Sequence, residues 1–310
     1  MEETGEPGSS RWGTALALGL AVLLLGAADP LPLILVPLAG LMVAFPPERR
    51  IAVLLALLLA VWVLVQRGSP GPLGGTTRAW ALLLAAALVG AVAWRQGAFL
   101  GRGLMALSAA AAGVGLWLGA TGGWRVLDGA ARERVQTIAT DTFNRLSSGS
   151  PGTPWAADPA MPERVAHLWW TLFPALLAMQ SLAGLGLAWW IWARSGPPGD
   201  RRVPLGRLRE FRFADELVWV PIVAIVIVVL PLGGALTRAA GNVLFFMGGL
   251  YVLRGMGVFA HLLAGMPPFG LVVGAMFALL LYPFALAAAL AMGVGDTWLD
   301  LRGRASKSTA

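Results

Sequence analysis

Cysteine is absent from the 310 residues. There is therefore no disulfide framework, no thiolate nucleophile, no iron–sulfur cluster and no cysteine-ligated zinc. Lysine occurs once, at Lys307. A phosphate-binding loop needs a glycine-rich turn running into Lys and Ser/Thr after a strand. Lys307 follows Gly303-Arg304-Ala305-Ser306 with no strand before it, so the chain carries no ATPase of that type. Histidine occurs twice, as His167 and His261, which argues against a histidine-rich metal centre. No cofactor is expected.

Charge is scarce too. Only 13% of residues are Asp, Glu, Lys or Arg, against about 25% in an ordinary soluble domain. What fills their place is apolar: 57% of the chain, with a mean hydropathy of +0.73. No globule of this size buries so much apolar surface in water, so its solvent is lipid. The apolar residues fall in blocks at 12–28, 31–45, 51–65, 79–94, 103–120, 165–192, 217–232, 239–264 and 268–292. A crossing takes about 20 residues. Block 31–45 is short and holds Pro32 and Pro37, which predicts a half-span or a kinked helix. The expected fold is all-α: a polytopic transmembrane helix bundle of eight or nine spans with one amphipathic interfacial helix.

The N-terminal ten residues carry three glutamates and no basic residue before Arg11. That is a poor signal-peptide n-region, so the first block is expected to be retained as a span. Trp12, Trp80, Trp94, Trp124, Trp192, Trp219 and Trp298 stand near block ends, as interfacial aromatic belts do. Gly115-xxx-Gly119 and Gly270-xxx-Gly274 permit close helix packing.

Three domains are expected: an N-terminal bundle at 1–120, an extracytoplasmic amphipathic helix and linker at 121–164, and a C-terminal bundle at 165–310. In the middle segment Leu127, Ala131, Val135, Ile138 and Leu146 share a face, with Arg132, Glu133, Arg134, Asp141 and Arg145 largely off it. This is either a lid over a cavity or a surface-lying connector. A Ser/Gly/Pro-rich linker follows at 147–160. Five arginines and five acids balance across 121–164, whereas the loop at 194–216 carries Arg194, Arg201, Arg202, Arg207, Arg209 and Arg212. Positive loops stay cytoplasmic, which places this loop inside and 121–164 outside. Three blocks then follow and put the tail outside, yet Arg302, Arg304 and Lys307 argue for inside. Either a late block is re-entrant or the tail breaks the rule.

Ionisable side chains inside spans are costly and mark functional sites by default. Block 239–264 holds Arg254 near its middle and His261 seven residues on, on the same helical face, with Asn242 near its start. Asn242, Arg254 and His261 are the candidate ligand-lining residues. The alternative is a structural Arg254, bonded to backbone carbonyls or to a carboxylate near a helix end. Gly293-Val294-Gly295-Asp296 spells the string around one catalytic aspartate of intramembrane aspartyl proteases. That chemistry needs a second carboxylate sharing the proton, and no other span offers one at comparable depth. With no convergent acid, base or metal set, an enzyme is not expected.

Three stretches carry a resemblance. They are the junction Leu208-Arg209-Glu210-Phe211-Arg212-Phe213-Ala214-Asp215-Glu216-Leu217-Val218-Trp219; Asn242 followed by Leu250-Tyr251-Val252-Leu253-Arg254-Gly255-Met256-Gly257; and Gly293-Val294-Gly295-Asp296-Thr297-Trp298-Leu299-Asp300-Leu301-Arg302. In these the chain resembles the YybS-like family of uncharacterised bacterial polytopic membrane proteins. Asp296, Trp298, Asp300 and Arg302 are the family-motif residues of the last stretch. The family is similar in layout to the substrate-binding membrane subunits of energy-coupling-factor vitamin transporters, which hold a small ligand between helices and carry no ATPase. The resemblance implies a solute-binding subunit in a bacterial inner membrane, energised by a partner protein. The alternative is a non-transporting scaffold for a cell-envelope or membrane-associated assembly. The expected partners are the lipid bilayer and an energising or scaffold protein. Nucleic acid is not expected, because the arginines punctuate apolar blocks and serve topology and lipid headgroups.

Overall fold

The computed structural model describes residues 9–47, 50–66, 72–94, 97–149, 160–196, 205–206, 208–263 and 267–302. The linker core at 150–159, Arg201, Arg202, Arg207, Arg304 and Lys307 lie outside the described residues. Every regular element described is helical: α1 (Ser9–Leu25), α2 (Pro30–Ala44), α3 (Arg50–Gln66), α4 (Pro72–Trp94), α5 (Phe99–Thr121), α6 (Trp124–Gly149), α7 (Met161–Arg194), α8 (Trp219–Val229), α9 (Gly234–Leu262), α10 (Pro268–Leu280) and α11 (Tyr282–Leu299). Two single 3-10 turns, Leu208–Glu210 and Asp215–Val218, precede α8. The all-α membrane bundle expected from the sequence is the fold observed.

The count of eight or nine spans is not confirmed among the described residues. By length and composition four described helices can cross a bilayer: α4, α5, α7 and α9. A fifth is available if α10 and α11, bent by 104° at their junction, count as one broken span. The difference lies in helix length. α2 has 15 residues and α8 has 11, or about 22 and 16 Å at the α-helical rise. A bilayer core is about 30 Å thick. Apolar blocks had been counted as spans, but several are helices too short to span alone.

The chain divides into two compact units: Leu18–Pro204, and Leu205–Ala310 with Met1–Ala17. These units meet between Ala17 and Leu18 and in the arginine-bearing loop. Within the first unit α7 packs with α2, α5 and α6.

In the first unit α2, with Pro37 inside it, is a core helix. Asp29 caps it, its Oδ1 accepting from Leu31 N at 3.2 Å, and Pro30 occupies the first turn, where no amide donor is needed. Leu33, Val36, Pro37 and Leu41 are buried. At Gly184 on α7 a Cβ would lie 2.9 Å from the Leu33 carbonyl oxygen, so only glycine lets the two helices cross there. Buried Gln180 pins the turn before α2. Its Oε1 accepts from Ala28 N at 2.8 Å, and its Nε2 donates to Val22 O at 2.8 Å and Ala28 O at 2.9 Å. These bonds satisfy the backbone freed where α1 ends at Gly26 (φ +50°). The leucines of α3, among them Leu54, Leu55 and Leu58, stay exposed, as a lipid-facing helix requires.

Two of the expected belt tryptophans are core residues instead. Trp80 Nε1 donates to Ser181 Oγ at 2.9 Å and Trp192 Nε1 to Phe45 O at 3.2 Å. Each indole found a buried acceptor, which releases it from the interface. Trp94, Trp124, Trp219 and Trp298 are exposed, as a belt position demands. The expected amphipathic helix exists as α6, lying against α7 and α4. Its buried seam is made by Ala131 and Ala139, while Ile138 is exposed. Such packing suits a surface-lying connector.

Candidate functional site

The second unit is organised by a close helix crossing. A Cβ on Gly255 of α9 would collide with the Ala289 carbonyl of α11, and a Cβ on Gly293 of α11 would collide with the Tyr251 carbonyl of α9. The backbones therefore touch through two glycines. At Gly115 and Gly119 a Cβ meets only the edge of the Trp124 ring, and at Gly274 it meets nothing. The glycine pairs singled out by spacing do not make this contact.

Beside the crossing sits a charge cluster. Arg254, 2% exposed, donates from Nε to Asp296 Oδ2 at 3.0 Å and from Nη1 to Asp215 Oδ1 at 2.9 Å. Arg302 donates from Nη2 to the same Asp296 oxygen at 3.0 Å and to Phe211 O at 3.0 Å, and from Nη1 to Arg209 O at 2.9 Å. The Phe213 ring covers the Arg254 guanidinium at 5.2 Å and meets Tyr251 edge-on at 5.1 Å. The Leu208 carbonyl lies against Gly257, where a Cβ would stand 2.5 Å from its oxygen. Residues 208–215 thus form a strap across the C-terminal ends of α9 and α11.

Local sequence explains the placement. Arg254 lies eight residues before the last residue of α9, or about 12 Å from the helix end. α11 ends at Asp300 in a left-handed conformation (φ 41°, ψ 58°), which Asp tolerates better than most residues. The chain turns there, and Arg302 reaches back to Asp296 and the strap. Asp300 itself pairs with Arg212 at 2.7 Å on the exposed outer side.

The candidate residues separate. Arg254 is engaged by two carboxylates. Asn242 Nδ2 donates to Arg238 O one turn back in its own helix at 2.9 Å. It lies 12 residues before Arg254, about 18 Å along the axis. His261 is half-buried near the end of α9, about 10 Å beyond Arg254. The three do not converge on one point. Of the motif residues, Asp296 and Arg302 enter the cluster and Trp298 faces outward. The sequence reading passed over Asp215 and Phe213 because they stand in a loop edge. The available signal was reciprocity: two acids and two arginines spread over the three stretches that carry the family resemblance. Those three stretches are the ones that meet here.

Chemically the site is a buried ion-pair network. Asp215 and Asp296 bond different nitrogens of one guanidinium, so a cation separates them and they share no proton. The dyad that an aspartyl protease needs is not assembled. Arg302 and Asp300 bond the strap directly, so the end of α11 and the start of α8 occupy the same face. Of the two forms open to the bent α10–α11 pair, a re-entrant loop agrees with this, whereas one broken span would carry the end of α11 to the other face. Glu216→Cys and Ser306→Cys should therefore react with a membrane-impermeant maleimide from the same side of oriented vesicles. With no native cysteine the background is nil, and labelling from opposite sides would refute the shared face.

No curated protein and no solved structure matches the chain. The family model described as "Predicted membrane protein (DUF2232)" matches residues 14–297. That match covers most of the spans and the whole cluster up to Thr297, and it agrees with the resemblance read from the three stretches. The chain is a multi-pass membrane protein and belongs to the DUF2232 family of predicted membrane proteins.

Proposed function

We propose that this protein is a non-catalytic, non-transporting scaffold of a bacterial inner membrane, which presents the strap at 208–216 to a cytoplasmic partner protein. The observation that supports it most is the engagement of Arg254 by Asp296 and Asp215. A guanidinium so bonded is spent on holding the strap rather than on receiving a solute. The strap is held from beneath by Arg302, Arg254 and Gly257, while Glu210 and Glu216 remain exposed on it and Trp219 beside it at the start of α8. A loop fixed on its inner side and polar on its outer side suits a docking surface, because little ordering entropy remains to be lost on binding. The arginines of the 194–216 loop support a cytoplasmic face for the strap, by the positive-inside rule.

A photo-crosslinking residue at Glu216 tests the reading in native membranes. The expected product is one discrete adduct with a defined polypeptide, in constant stoichiometry and resistant to high salt. The same probe at lipid-facing Leu58 should not form it. Adducts with lipid alone would remove the scaffold reading. The solute-binding subunit energised by a partner returns if some solute raises the thermal stability of the purified wild type and Arg254→Ala selectively loses that shift.

A further inference from the structure

The strap is fastened twice, by arginines that reach it from different elements. At its outer end the Asp215 carboxylate accepts from Arg254 of α9 at 2.9 Å, and the Phe213 ring covers that guanidinium at 5.2 Å. At its inner end Arg302, just past α11, donates to Arg209 O at 2.9 Å and to Phe211 O at 3.0 Å. Gly257 leaves room for this hold: a Cβ there would stand 2.5 Å from Leu208 O and 3.8 Å from Arg302 Nη1. Each end also closes its own backbone turn, Phe211 N donating to Leu208 O at 3.0 Å and Leu217 N to Ala214 O at 3.1 Å. Residues 211–214 between the turns belong to no helix or strand, so no backbone ladder forces both ends to open together.

The inner hold can be released without leaving a buried charge alone. If Arg302 withdraws, Asp296 Oδ2 keeps Arg254 Nε at 3.0 Å, one buried charge against one. The freed carbonyls are not trapped either. Leu208, Arg209 and Glu210 are exposed, so lifting this end hands its backbone to water. An unpaired buried charge is the main penalty in such a network, and this motion avoids it. Asp296 has no such freedom, since its departure strands two arginines. We propose that Arg302 is a latch, which holds the inner half of the strap, 208–211, and lets it swing away while the outer half, 213–217, stays on Arg254. Arg302 is thus a positioning residue. Its use rests on the scaffold reading. Glu210 lies on the half that moves and Glu216 on the half that stays, so the latch sets how much of the docking surface a partner meets.

Amide hydrogen exchange resolved at Phe211 and Leu217, on the protein in lipid nanodiscs, tests the latch. Arg302→Ala should speed exchange at Phe211 by at least about tenfold, the loss of one charge-assisted hydrogen bond, with Leu217 almost unchanged. Arg302→Lys keeps the charge beside Asp296 but lacks the planar fork, so it should fold and show a smaller rise at Phe211. Asp215→Ala should act the other way, speeding Leu217 by a few-fold and sparing Phe211, because its exposed ion pair holds only the outer half. An equal rise at both amides in Arg302→Lys, or none at Phe211 in Arg302→Ala, would overturn the latch. In native membranes a photo-crosslinker at Glu210 should lose most of its adduct in Arg302→Ala, while one at Glu216 keeps its own. If wild type gives no adduct at either position, the scaffold reading falls and the exchange result still decides the latch.

Discussion

Asp296→Ala should be the most damaging single charge substitution in this protein, destabilising the fold by about 3–5 kcal/mol. Removing the carboxylate leaves Arg254 and Arg302 buried side by side, with their shared counter-charge gone. Uncompensated charge in a low-dielectric interior is far costlier than the intact pair is beneficial, and a membrane interior deepens the penalty. Arg254→Ala should fall at the lower end of that range, about 3 kcal/mol, because Asp296 keeps Arg302. Asp215→Ala should lose only about 0–1 kcal/mol, since its carboxylate is 63% exposed and water screens the pair. Reversible unfolding in detergent or nanodiscs, read by tryptophan fluorescence, gives the order. If Asp215→Ala proves as damaging as Asp296→Ala, or Arg254→Ala is silent, the cluster is not the fastening described here.

Gly293→Leu and Gly255→Leu should each destabilise by more than about 3 kcal/mol, the upper end of ordinary overpacking losses. The obstacle at each is a backbone carbonyl on the facing helix, which cannot rotate aside as a side chain can. Separating α9 from α11 would also pull Asp296 away from Arg254, so the loss of packing and the loss of the ion pair arrive together. The contrast lies in the other glycines. Gly115→Ala and Gly274→Ala meet only ordinary contact or open space. Both should be neutral or should stabilise by up to about 1 kcal/mol, the usual gain from replacing a helical glycine. Alanine-scale tolerance at Gly255 or Gly293 would show that the helices do not touch there.

Much of the architecture was legible because it depends on local composition. Long apolar blocks bounded by Arg, Pro and Gly identify lipid-immersed helices without knowledge of their neighbours. Arg254 was legible as exceptional, since an arginine within an apolar block is costly wherever it points. Its role was not. Whether a buried guanidinium meets a solute or a carboxylate depends on which residue lies opposite, and Asp296 is 42 positions away in the chain. Trp80 and Trp192 were misread for the same reason: an indole near a block end goes to the interface unless a buried acceptor such as Ser181 or Phe45 O is brought to it.

The sequence by itself determined that this is an all-α membrane protein, that Arg254 is exceptional within its apolar block, and that the residues given offer no thiol. Each of these follows from residue type and local spacing, which act before the chain folds. Only the tertiary structure decided how many apolar blocks are long enough to cross, which two glycines meet, and that α11 ends on the face of the strap. Those outcomes turn on helix ends, bends and contacts between residues far apart in sequence, and distances through space are not written in local composition.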